Sequence, residues 1–225
     1  MGVHSFDHHL QAEIFAKLRM HASVRYKDLR DPLIESSQFA YHLNELIKQK
    51  LVIKLGRGEY ALTSKGVMLA QDFSSETGKL RAAPQTYTLL FIRSKTGKWY
   101  VLERTKHPYI GMYACISGKV HFHETLAEAA ARELHDFTNG AITAAPKYYG
   151  YASVLIKYGE QETHVTGPVW FVDDVEETIM EPVRQGIPSW MNWQEADYAQ
   201  FIPGWAEIVA MIESGEPGLL DLKFE

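Results

Sequence analysis

Gly118-Lys-Val-His-Phe-His-Glu124-Thr-Leu-Ala-Glu-Ala-Ala-Ala-Arg132-Glu133-Leu-His-Asp136-Phe137-Thr-Asn139-Gly140 is the stretch on which the reading of this chain turns. It opens as a glycine-bounded turn and runs on without a breaker through Ala, Leu, Glu and Arg, all strong helix formers, so it predicts a loop feeding a helix. At about 100° per residue, Glu133 and Asp136 fall about 60° apart on one side of that helix. Leu126, Ala130, Leu134 and Phe137 form the adjoining apolar stripe. Two carboxylates so placed can share a hard divalent cation such as Mg²⁺.

Upstream of this stretch, residues 86–93 and 98–104 are β-prone runs joined through Ser94-Lys-Thr-Gly97, and residues 114–116 read as a short strand. Downstream, residues 147–158 and 163–172 gather β-formers, and residues 193–212 contain a last helix that stops before Gly215-Glu-Pro217. Cys115 sits inside a predicted strand and reads as a small buried hydrophobe.

The central stretch resembles the Nudix box, in which Gly, five residues, Glu, seven residues and then Arg-Glu-aliphatic-x-Glu-Glu-x-Gly-aliphatic follow one another. Gly118, Glu124, Arg132, Glu133 and Leu134 match at the right spacing, and Asp136 conservatively replaces the first of the paired glutamates. Phe137 stands where the family places its second paired glutamate, and Asn139 where it places glycine. The resemblance implies an α/β/α sandwich over residues 85–225. It also implies a nucleoside-diphosphate-linked ligand, Mg²⁺ held by Glu133 and Asp136 as catalytic and metal-binding groups, and a loop-bracing ion pair between Glu124 and Arg132 behind Gly118. A phenyl ring offers a metal no lone pair, so the departure at 137 points to weak or absent hydrolysis.

Further ligand contacts are expected from Arg93 and Arg104, near strand ends, toward phosphate. Tyr109, Tyr113, Trp190 and Trp193 are the rings available to stack on a base, with core or rim packing as their plainer role. His121 and His123 flank Glu124 and could serve as base or ligand, although loop histidines are usually solvated. The acidic turn of Asp173, Asp174, Glu176 and Glu177 could lend a carboxylate to a metal or be solvated surface.

The N-terminal part follows a different pattern. Leu10, Ile14, Phe15 and Leu18 recur at helical spacing, and a short helix fits residues 26–30 before Asp31-Pro32. Ser36-Ser37 then caps a third helix with Phe39, Leu43, Leu46 and Ile47 inward. Residues 51–55 and 60–63 are short strands around Gly56-Arg57-Gly58-Glu59, where the glycines serve the turn by accepting positive φ, and Thr63-Ser64 caps a further helix. The order is similar to that of winged helix-turn-helix domains of bacterial regulators. That resemblance implies DNA binding through Ser36, Ser37, Gln38, Tyr41 and His42 of the third helix and through Lys54 and Arg57 of the wing. The expected fold is thus α+β with two domains: residues 1–74, a linker at 75–84, and residues 85–225.

Composition agrees with a globular chain of 225 residues, 46% hydrophobic and 23% charged. The net charge of −5 is split, since residues 1–84 hold 12 Lys+Arg against 9 Asp+Glu and residues 85–225 hold 11 against 19. Such asymmetry fits different partners for the two halves. One cysteine excludes an internal disulfide, no apolar run nears the ~20 residues of a membrane span, and residues 1–9 lack the pattern of a signal peptide. A cytoplasmic location without membrane contact is expected. The combined expectation is a transcriptional regulator, a homodimer on paired half-sites, sensing an ADP-ribose-type metabolite. The rival is an active Mg²⁺-dependent pyrophosphohydrolase with an accessory winged helix. Regulators that join these two modules often carry them in the opposite order.

Overall fold

The computed structural model of the protein describes residues 6–74, 76–158, 161–179 and 181–225. Residues 1–5 and Ser75, both used above, lie outside the described residues. Chain contacts divide the molecule into two compact units, Met1–Ala83 and Pro84–Glu225.

The first unit runs α1 (His9–Arg19), β1 (Val24–Arg25), α2 (Tyr26–Leu29), α3 (Ser36–Lys48), β2 (Val52–Lys54), β3 (Glu59–Leu62) and α4 (Ser64–Asp72). Its sheet is antiparallel in the order β1-β3-β2. Strand β1, only two residues long, carries no periodicity and was not foreseen. Apolar faces of α1 and α3 close over Leu51, Val52 and Tyr60 to form the core, with Phe15 and Phe39 almost fully buried. Gly66 is required where α4 passes β2, because a β-carbon there would overlap the carbonyl of Leu51.

Three local expectations need correction. The N-cap of α3 is Glu35, not Ser36 or Ser37, and no side chain caps it; the Ser37 hydroxyl instead donates to Glu35 Oε1 at 2.5 Å. In the hairpin turn, positive φ falls on Arg57 (64°) and Gly58 (77°), so only one of the two glycines uses its freedom. The stretch expected as a linker folds onto the first unit: Phe73 bridges Leu80, Ser74 N–H donates to Lys79 O at 2.8 Å, and Leu80 packs on the core. The boundary therefore falls after Ala83.

The second unit runs β4 (Gln85–Ser94), β5 (Trp99–Arg104), β6 (Tyr113–Ala114), β7 (Ile116–Lys119), α5 (Leu126–Thr138), β8 (Lys147–Tyr158), β9 (Gln161–Val175), β10 (Gly186–Met191), α6 (Trp205–Ser214) and β11 (Leu219–Phe224). The mixed sheet has the order β10-β5-β4-β9-β8-β11, with β6 against β5 and β7 against β4. Period-two alternation along β4 divides the core. Leu90 and Ile92 face the cluster built on α5, while Leu89 and Phe91 face the cluster built on α6. A mixed α+β fold in three layers, helix, sheet, helix, results. Among the described residues no helix is long and apolar enough to cross a membrane.

Candidate ligand cleft around α5

The box stretch folds as its chemistry requires. Thr125 accepts from Glu128 N–H at 3.2 Å while Glu128 accepts from Thr125 N–H at 2.8 Å, a complete capping box at the start of α5. At the other end Asn139 takes the left-handed conformation (φ 49°, ψ 35°) and its N–H returns to His135 O. Asparagine is the residue that tolerates this geometry best after glycine, so the departure at 139 leaves the helix stop intact.

On the sheet side of α5, Ala129, Ala130, Leu134 and Phe137 are buried, and Leu126, expected in that stripe, is 44% exposed in the first turn. Glu133 is buried as well, at 5% exposure. Its carboxylate lies against Gly118, where a β-carbon would overlap it, and it accepts a short hydrogen bond from Arg132 Nη1. Arg132 Nε meets Glu124 Oε1 at 2.6 Å, and its Nη2 reaches Glu124 Oε2 at 3.0 Å and Lys119 O at 3.1 Å. Glu124 also accepts from His121 N–H at 2.9 Å. One guanidinium thus joins the loop, the helix and the strand end, a bidentate geometry that lysine could not reproduce. Arg132 first and His121 N–H second hold the Glu124 carboxyl down to about 2, and Glu124 in turn raises the Arg132 pKa.

Beside this brace opens a cleft of about 500 Å³ whose walls include Arg104, Lys106, Lys119, Arg132 and Arg184. Glu133 and Asp136 also line it, as expected, and so does Phe137. Phe137 is 4% exposed and packs with Tyr100, Ile116 and Leu134, so its ring is part of the core. Asp136 is exposed, its nearest recorded partner being His135 Nδ1 at 3.4 Å. Among the described residues no three His, Cys, Asp or Glu side chains converge as a metal cage.

Other expected contacts are distributed unevenly. Arg104 lines the cleft and is steadied by Nε to Pro108 O at 2.9 Å. Arg93 is not there: both its nitrogens bond Asp173, at 2.8 and 2.7 Å, and its guanidinium lies over Trp99 and Phe171. That bidentate pair removes Arg93 from the ligand contacts, raises its pKa and lowers that of Asp173. Glu176 and Glu177 are similarly held by Lys95 and Lys98. Tyr109, buried at 9% exposure, lines an apolar cavity next to the cleft. Tyr113 packs on Phe201, Trp190 on Tyr100 and Trp193 on Trp205, all packing roles. His121 lines the cleft, and His123 (φ 70°) meets the Phe122 ring edge-on. Lys106, Lys119 and Arg184 were missed; each comes from a different segment, and no spacing rule connects them. Cys115 is buried as expected, which pushes its thiol up to about 12.

In the first unit Ser36, Ser37, Gln38 and Tyr41 are exposed on α3, and Lys54 and Arg57 are exposed on the hairpin. His42 is not a surface residue. It is 8% exposed and stacks on His8 at 4.1 Å between ring centroids, and desolvation first, then His8 and His9, lower its pKa.

No protein-family model matches the sequence, and no curated protein sequence is similar to it. Solved structures are similar in part. They include the MutT protein from Methanosarcina mazei Go1 (19% identity, TM-score 0.48, over 61% of this chain and 99% of that one). Another is a NUDIX hydrolase from Nitrosomonas europaea (16%, TM-score 0.46, 68% and 86%). A third is the bifunctional NMN adenylyltransferase/ADP ribose pyrophosphatase from Francisella tularensis, complexed with AMP and a Mn ion (13%, TM-score 0.46, 59% and 42%).

Proposed function

We propose that residues 84–225 form a Nudix-type domain binding a diphosphate ester beside α5, and that the first unit is a winged-helix DNA-binding domain whose affinity responds to that ligand. On this reading the protein is a homodimeric transcriptional regulator. The observation that carries it is the charge of the cleft, where Arg104, Lys106, Lys119 and Arg184 stand beside Arg132, itself paired with Glu124 and Glu133, while Phe137 fills the third carboxylate position with core packing. Two linked phosphates are a dense anion, and guanidinium and ammonium groups on several segments match it. The resemblance implies a nucleoside-diphosphate-linked metabolite of the ADP-ribose type.

Mg²⁺ characteristically takes one or two protein carboxylates and completes its shell with phosphate oxygens and water. Glu133 and Asp136 supply that minimum, so they would hold the ion jointly with the ligand; once bound, it would neutralise phosphate charge. Arg104 and Arg184 can grip the outer oxygens, and the Glu124–Arg132 brace keeps the Gly118 loop in place for them. Binding in the second unit changes DNA affinity only if the ligand prefers one arrangement of the dimer.

The DNA half rests on exposed polar side chains at the start of α3 and a cationic hairpin. Fluorescence anisotropy on a selected duplex and on random DNA tests it. Arg57→Ala should weaken both and reduce the salt slope by about 1, whereas Gln38→Ala should alter sequence preference. Equal loss on both duplexes for Gln38→Ala would remove it from base reading, and salt-independent association would exclude DNA as partner.

A second reading, an Mg²⁺-dependent pyrophosphohydrolase, is favoured by one observation: Glu133 and Asp136 share the cleft with the cations. Mg²⁺-dependent release of product from diphosphate esters, abolished by Glu133→Gln, would establish it over a purely sensory role.

A further inference from the structure

The sheet of the second unit ends in two edges of different character. At one, β10 carries Pro188, whose missing N–H blunts that edge against further pairing. At the other, β11 runs parallel to β8 from Leu219 beside Tyr151 to Phe224 beside Ile156. Among the described residues of the unit, no strand pairs with its outer side. Tyr151 N–H donates to Gly218 O at 2.9 Å. In a parallel ladder that register turns the backbone groups of Leu220, Leu222 and Phe224 toward β8 and leaves those of Leu219, Asp221 and Lys223 pointing outward. The side chains divide in the same way. Leu220, Leu222 and Phe224 pack on the α6 cluster, whereas Leu219, Asp221, Lys223 and Glu225 are exposed.

Resting on the homodimer of the reading above, we propose that β11 is its interface, and that two copies join edge to edge, antiparallel, about a two-fold axis at Leu222. A second copy is the occupant because the strand is complementary to itself. Pairing about Leu222 sets Asp221 opposite the partner's Lys223, and symmetry makes this contact twice. Each outward backbone group then meets an outward one, so the ladder can close. On the α6 side Leu222 faces its own copy and Leu220 faces the partner's Phe224, which continues the apolar row across the junction.

Charge selects this register over its neighbours. An axis at Asp221 would oppose two aspartates, and one at Lys223 would oppose two lysines and set Asp221 against the partner's Glu225. An axis at Leu220 or Phe224 leaves half the strand or less engaged. Within one copy Asp221 has no ion pair among the described residues, and Lys223 holds only Glu225, two residues along its own strand, with both side chains more than 60% exposed. So exposed a pair contributes little and can give way to a cross-strand partner. A lone edge lysine deters pairing, but with an aspartate opposite it favours one partner, this strand itself.

The test is sedimentation velocity of the full chain over a concentration series. The unaltered protein should sediment as a dimer. Asp221→Lys turns both attractive pairs repulsive and should raise the dimer dissociation constant at least about tenfold. Adding Lys223→Asp to it restores opposite charges in the same register and should restore the dimer. Should Asp221→Lys fail to fold, Lys223→Pro weakens the same contact by deleting one outward N–H per strand at an edge that tolerates proline. A dimer indifferent to these changes would overturn this interface while the homodimer stands. A single variant that breaks the dimer without rescue by the double would overturn the register at Leu222. A protein monomeric throughout would overturn the homodimer and this interface together.

Discussion

Helices α3 and α5 are the same length, 13 residues each, yet they are held in opposite ways. Helix α5 carries a reciprocal capping box, a left-handed stop at Asn139 and a buried glutamate tied to an arginine. Helix α3 starts at Glu35 with no side-chain cap, and Ser36, Ser37, Gln38 and Tyr41 face solvent. The difference follows from what each helix must tolerate. A carboxylate removed from water is stable only in fixed, fully bonded geometry, so the ends of α5 and the loop before it are pinned. A polar, solvated face imposes no such demand, and packing of Phe39, Leu43 and Leu46 suffices for α3.

The largest blow to that contrast should come from the cores, where both helices depend on one ring. Phe137→Ala and Phe39→Ala should each cost about 3–5 kcal/mol by leaving a cavity, read as a lower denaturation midpoint for the unit concerned. Next comes the feature found only in α5. Arg132→Ala leaves Glu133 buried without its cation and Glu124 without its bidentate partner, and should cost about 3 kcal/mol in the second unit. A loss under about 0.5 kcal/mol would show that the brace is a surface pair and nothing more.

Acid should separate the units in the same direction. The folded Glu124 carboxyl titrates at about 2, below the ordinary value of 4.5, so its contribution is fully present above about 4.5 and is lost as pH falls from there toward 2. Chemical denaturation of the second unit at pH 7 and pH 3 should show this loss, and Glu124→Gln should flatten it. The smallest effect concerns the caps. Thr125→Ala should cost about 1 kcal/mol, whereas Glu35→Ala, which removes no cap bond, should stay within about 0.5 kcal/mol. Equal costs at the two positions would contradict the contrast.

Reading the sequence located α5 and its N-terminal loop, because these depend on helix formers placed without interruption, and the family resemblance implied the pairing of Glu124 with Arg132 that the structure contains. It also placed most of the strands; the centre of β4 is buried on both faces, its alternate residues entering two different core clusters. The same locality explains the misses. Strand β1 exists only because β3 lies beside it, and His42, which lies at i+3 from Phe39 on the buried side of α3, is further covered by His8 from outside that helix. Arg93 looked free until Asp173, 80 residues away, met it.

What the sequence determined by itself was a helix with two acidic groups on one side and a phenylalanine in place of a third. Only the tertiary structure decided that this ring belongs to the core, that Glu133 packs against Gly118 and pairs with Arg132 at the cleft wall, and that Lys106, Lys119 and Arg184 converge on the same cleft. Helical periodicity is a property of neighbours along the chain. The assembly of charge from distant segments, and of an apolar cavity beside it, depends on how strands and helices pack, which no local spacing records.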